Sequence, residues 1–84
     1  MTIYIDIPKI RTVRGRQRLT AHLMGDSLNE LLEFCSKHGI REWRVDKVGR
    51  HPHADLWGRD LERILEILAP VSTKEMLKKV RNDS

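Results

Sequence analysis

Apolar and polar residues alternate at the start of the chain, where Tyr4 and Asp6 separate Ile3, Ile5 and Ile7. A period of two predicts a strand over residues 2–7, and Pro8 ends it because it has no amide to donate. The period changes at Ser27-Leu28-Asn29-Glu30, a capping box in which the serine oxygen accepts the amide three residues on. Leu28, Leu31, Leu32 and Cys35 then recur at helical spacing, so a first helix is predicted over 27–38, with Gly39 as its left-handed stop. Trp43 and Val45, with Ile40 and Val48 nearby, predict a second strand with Arg44 and Asp46 on its other side. Residues 49–55 read as a polar loop, and Leu61, Ile64, Leu65 and Leu68 predict a second helix over 58–68, ended before Pro70. A short strand near Pro70 and Val71 leads into a second capping box, Ser72-Thr73-Lys74-Glu75, and a third helix carries Met76, Leu77 and Val80 on one side. The apolar residues 19–24 fit a short strand and an ordered loop equally.

This order predicts an α/β fold: a small three-layer or two-layer β-α-β-α-β-α domain with a short, mainly parallel sheet. With 84 residues there is room for one core, so the expectation is a single domain spanning 1–84. Hydrophobic content of 39% and charged content of 33%, with no low-complexity tract, fit a globular chain. The first residues have no basic segment before a long apolar one, so no signal peptide is expected. The apolar stretch 64–71 is interrupted by Glu66 and falls far short of the roughly 20 residues a bilayer span needs, so no membrane contact is expected and the setting is cytoplasmic. Cys35, the only cysteine, lies on the apolar helix face and is expected to be a buried, inert thiol.

The net charge of +4 matters less than where the excess sits. Lys9, Arg11, Arg14, Arg16 and Arg18 fall in ten residues that contain no acid. That segment, read as a loop, is a positive field suited to phosphate or to an acidic protein surface; the plainer reading is a solvated loop.

In a parallel sheet, the loops leaving the carboxyl ends of the strands form the ligand crevice. Asp6 ends the first strand, His22 and Asp26 approach the first helix, His51, His53 and Asp55 leave the second strand, and Ser72 follows the last. All seven are therefore expected along one sheet edge, with the starts of the first and third helices at Ser27 and Ser72 offering free amides to an anion. His51-Pro52-His53-Ala54-Asp55 alternates so that an extended backbone projects two imidazoles and a carboxylate to one side, which suits a divalent metal or acid/base chemistry. It is also an ordinary polar turn, and no established zinc spacing occurs. Asp26 and Ser72 taken singly are more ordinary as helix-start residues. His38 is expected to serve its helix end, and Trp43 and Trp57 to be core and helix cap, because 5% aromatic content gives base stacking little material.

The chain resembles a family of short bacterial and phage proteins classed as a domain of unknown function. The likeness rests on the strand ending in Asp6, on Ala21-His22-Leu23 with Asp26, on Trp43, on Pro52-His53-x-Asp55-Leu56 and on Pro70-Val71-Ser72-Thr73-Lys74-Glu75. The family's first strand commonly ends in two acids, where Asp6-Ile7 stands here, and a Tyr usually takes the place of Ala54. The resemblance implies a bacterial cytoplasm, or a host cytoplasm for a phage-encoded member, and the same polar set; it brings no activity.

The leading functional expectation is a phosphate-recognising protein for nucleic acid or nucleotide, with His22, His53 and Asp55 at the centre and Arg14, Arg16, Arg18, Ser27 and Ser72 on phosphate. Its catalytic form is metal- or His-assisted phosphodiester hydrolysis, with His53 as acid/base and Asp6, Asp26 and His51 beside Asp55 as metal ligands. The alternative is a non-catalytic interaction protein whose basic loop binds and modulates a host protein. Sequence-specific DNA binding is a weaker third reading, because no helix carries a basic, base-reading face.

Overall fold

The computed structural model describes residues 3–48 and 51–80. Among these the chain forms strands β1 (Ile3–Ile5), β2 (Lys9–Val13) and β3 (Arg16–Gly25), helix α1 (Leu28–Lys37), a single 3-10 turn (Glu42–Arg44), strands β4 (Val45–Asp46) and β5 (His53–Trp57), and helices α2 (Gly58–Leu65) and α3 (Thr73–Lys79). The expected strand and loop positions Thr2, Gly49 and Arg50 lie outside the described residues.

The sheet is mainly antiparallel, which overturns the expected parallel β-α-β-α-β-α arrangement. Strand β3 is its centre: it pairs with β1 and β2 along one side and with β5 along the other, and β4 adds to the outer edge of β5, every pairing being antiparallel. The segment expected to be an arginine-rich loop is a hairpin, β2 and β3, in which Val13 faces Arg16 across a two-residue turn. A connection that short permits only antiparallel neighbours, whereas parallel ones need a dozen residues or more. Arg14 and Gly15 both have positive φ, 52° and 77°, as the tight I′ turn demands. Arginine in that conformation costs roughly 1–2 kcal/mol.

A β-α-β unit does exist in β3, α1 and β4, because β3 and β4 run the same way. Strand β5 inserts between them, antiparallel to both. The expected short strand near Val71 reduces to one bridge, parallel to Asp6, with Ile7 donating to the Val71 carbonyl at 3.0 Å and Val71 donating to that of Ile5 at 2.9 Å. Both capping boxes form at their serines: Ser27 Oγ and Ser72 Oγ accept the amides of Glu30 and Glu75 at 3.1 Å.

Alternation divides the sheet into two unlike faces. Ile5, Ala21, Leu23, Val45, Ala54 and Leu56 point to one side and pack on Leu31, Phe34 and Cys35 of α1 and Leu61 and Ile64 of α2. The opposite face is polar except at one end, where Met24 meets Met76 and Val80 of the α3 segment, with Tyr4 and Val71 against them. Helix α3 thus covers part of that face and leaves the rest open. Trp43, expected in the core, is 56% exposed. No helix among the described residues is long and apolar enough to cross a membrane.

Met76 is fully buried and joins α3 to the sheet. Met76→Ala is expected to lower the unfolding free energy by about 2–5 kcal/mol in urea titrations, the usual cost of a core cavity.

Candidate functional site

The open face carries Asp6, His22 and Asp55 in one row across three strands. His22 faces Asp55 in the β3–β5 ladder, and Asp6, just past β1, donates its amide to the His22 carbonyl at 3.0 Å. His53 is one row along, opposite Met24. Ile5 faces Leu23 while Lys9 faces Thr20, so residues 6–8 span only 21 and 22 on β3, a bulge that sets Asp6 out of regular pairing.

Asp6 is fully buried and surrounded by donors. Its Oδ1 accepts the His22 amide at 2.7 Å, and its Oδ2 accepts His22 Nδ1 at 2.9 Å and the Thr73 hydroxyl, at the start of α3, at 2.9 Å. Burial by itself pushes this carboxyl up; the His22 amide and ring, the Thr73 hydroxyl and the imidazole's charge outweigh it and hold the group below its usual 3.8. Asp6 is therefore an acceptor, and His22 donates to it from Nδ1. His53 Nδ1 likewise lies 3.1 Å from the His51 carbonyl, which can only accept. With both Nδ1 atoms so held, the two Nε2 atoms carry the lone pairs of the neutral rings.

Those Nε2 atoms converge. His22 Nε2 is 3.6 Å and His53 Nε2 3.5 Å from the same Asp55 Oδ1, the rings stand edge to face with centroids 5.1 Å apart, and one ligand atom from each of the three residues lies within 4.8 Å of the others. These separations are long for hydrogen bonds. The two Nε2–Oδ1 separations come close to the about 3.3 Å between two atoms each about 2.0–2.1 Å from a tetrahedral ion, while the widest spacing in the group, up to 4.8 Å, has to close for one ion to reach all three. A carboxylate behind a ligating histidine, as Asp6 stands behind His22, is the usual outer support of such a centre.

The other expected site residues take different places. Asp6 supports His22 rather than joining the three convergent groups, and His51 contributes its carbonyl. Asp26 lies in the turn before α1 and is not among the three. Ser27 and Ser72 are engaged as helix caps. His22 is in mid-strand, and the polar set gathers on a sheet face rather than along a carboxyl edge. Arg14 is at the hairpin tip, while Arg18 faces Arg11 and Arg16 faces Val13 across the ladder.

Composition gave no sign of an aromatic group next to this centre. Trp43 and Trp57 lie 6.2 Å apart, and the Arg44 guanidinium sits 4.0 Å from the Trp57 ring centroid and 4.7 Å from that of Trp43. Asp60, itself held by Arg63 at 2.6 Å, pairs with Arg44 at 2.8 Å. Trp57 and Asp55 line an open groove of about 390 Å³ together with Arg11, Arg14 and Thr20. The alternation of His53-Ala54-Asp55-Leu56-Trp57 was the available signal, because it sets His53, Asp55 and Trp57 on one face.

Site and fold together define a small, mainly antiparallel α+β protein with a His/His/Asp cluster on the open face of its sheet. The chain belongs to the family described as protein of unknown function (DUF4031), whose model matches residues 3–83. No curated protein and no solved structure matches it.

Two outcomes follow from these environments. Because Asp6 titrates below its unfolded value, its stabilising contribution is complete above pH 3.8 and is lost as pH falls below it through the folded value; Asp6→Asn is expected to flatten the acid limb of the stability profile in that window. Cys35 is buried, and desolvation followed by the charge of Asp60 pushes its thiol up to about 11, so it is expected to resist alkylation in the native protein and to react once unfolded.

Proposed function

We propose that this protein is a metal-dependent phosphodiesterase acting on nucleic acid or nucleotide, with a divalent cation held by His22 Nε2, His53 Nε2 and Asp55 Oδ1. The observation that carries this reading is the convergence of those three atoms, with both imidazoles fixed at Nδ1 by acceptors behind them. A set of two imidazoles and one carboxylate suits zinc and leaves a coordination position for water and substrate. Held by these residues, a cation would supply a water acidified enough to act as hydroxide near neutral pH. In the proposed reaction the oxygen of a water would bond to phosphorus as the bond from phosphorus to the leaving oxygen breaks, and the proton given up by that water would end on the leaving alkoxide. The products are a phosphomonoester and an alcohol.

Asp6 and Thr73 act as positioning residues, since they reach the centre only through His22. Lys9, Arg11, Arg14, Arg16 and Arg18 have no acidic partner among the described residues and supply the field that attracts a phosphate ester.

Zinc is expected to bind with one-to-one stoichiometry in calorimetric titrations, and at a hundred times its Kd to stabilise the fold by about 2.7 kcal/mol. His53→Ala is expected to abolish both binding and zinc-dependent hydrolysis of bis(p-nitrophenyl) phosphate. Hydrolysis that survives in His53→Ala, or a wild-type protein whose melting temperature does not respond to zinc, manganese or cobalt, contradicts the proposal.

A further inference from the structure

The open sheet face continues past the His/Asp centre onto the β2–β3 hairpin. Same-face rows lie two residues apart along the strands: the row after Asp6, His22 and Asp55 is Lys9, Thr20 and Trp57, and the next is Arg11 and Arg18. Two guanidinium groups directly opposite each other repel. Arg11 spends one nitrogen on the Thr20 carbonyl and hydroxyl, at 3.0 and 2.8 Å, and neither arginine has an acidic partner among the described residues. Arg14 extends the strip to the hairpin tip, where its guanidinium stands 5.4 Å from the Trp43 ring. It does so from a left-handed backbone position that asparagine or glycine occupies with less strain. Beside the strip, Trp57 lines the groove, braced by Arg44 against one side of its ring.

We propose that the ligand of this face is a single-stranded nucleic acid, its backbone running over Arg11, Arg18 and Arg14 towards Asp55 and one unpaired base stacking on Trp57. The inference rests on the phosphodiesterase reading and adds the substrate class. An extended row of unpaired cations exceeds what one mononucleotide phosphate engages, and an indole beside it offers stacking only to a base outside a duplex.

The test is fluorescence anisotropy of a labelled single-stranded oligonucleotide, as DNA and as RNA, and of the matching duplex, all in chelator so that binding does not depend on the metal. Single strands are expected to bind more tightly than duplex, and binding is expected to weaken as salt rises. In Arg14→Asn the log–log salt slope should fall by about 0.7, one phosphate contact on a single strand, while the melting temperature stays equal or rises because Asn-Gly suits the turn. Trp57→Leu should weaken binding by roughly five- to a hundredfold, and Trp57→Phe should restore most of it. No binding at low salt, equal affinity for duplex, or wild-type affinity in Arg14→Asn overturns the inference. Cleavage of the small diester without strand binding removes this inference alone, whereas strand binding without any metal-dependent cleavage removes the phosphodiesterase reading.

Discussion

A carboxylate taken out of water must be surrounded by donors, and the way Asp6 meets that requirement organises the molecule. Its donors come from distant parts of the chain: the His22 amide and ring from the central strand, and the Thr73 hydroxyl from the start of the last helix. Leaving an ionised carboxylate buried without them would cost several kcal/mol. The bulge at residues 6–8, the bridge from Asp6 to Val71 and the seating of α3 through Met76 hold these groups in place. The same hydrogen bonds set the orientation of the His22 ring, so folding and site geometry rest on one interaction.

The sheet's two faces divide the work. One is closed by α1 and α2 over small and branched apolar residues; the other is covered by α3 only at one end, which buries Asp6 beside Thr73 and leaves His22 and Asp55 of the same cross-strand row accessible beside His53. Placing the groups on three paired strands fixes their spacing by backbone hydrogen bonds. The tryptophan pair and Arg44 stand next to this row because Trp57 is the next residue on the same face of β5 after Asp55.

Local signals were legible in the sequence. The capping boxes at Ser27 and Ser72 form because a cap depends on residues three apart, and the stripes through Leu31 and Cys35 and through Leu61 and Ile64 do pack on a core. Strand direction was not legible. The expected order of a strand at 2–7, a helix at 27–38 and a second strand around Trp43 and Val45 suggested a parallel sheet, but β3, left between strand and loop, and β5, read mostly as the end of a polar loop, insert between β1 and β4. The hairpin was hidden because Arg14-Gly15 replaces the Asn-Gly that marks such turns and because β2 and the start of β3 are largely exposed. The residues later found together, His22, His53 and Asp55, were named from chemistry and alternation on the premise of a carboxyl edge. The sheet brings them together on a face, because alternation along β5 holds whichever way its neighbours run. Trp43 was assigned to the core from its side chain alone, without the arginine that stacks on it.

The central claim is that His22 and His53 present Nε2 to one shared ion. The most direct measurement is long-range ¹H–¹⁵N correlation of the histidine side chains, recorded before and after one equivalent of zinc at a pH where the rings are neutral. Both residues are predicted to be Nδ1–H tautomers in the metal-free protein, and both Nε2 resonances to shift together on addition of zinc while those of His38 do not. An Nε2–H tautomer at either residue, or Nε2 signals that zinc leaves in place, would contradict the account.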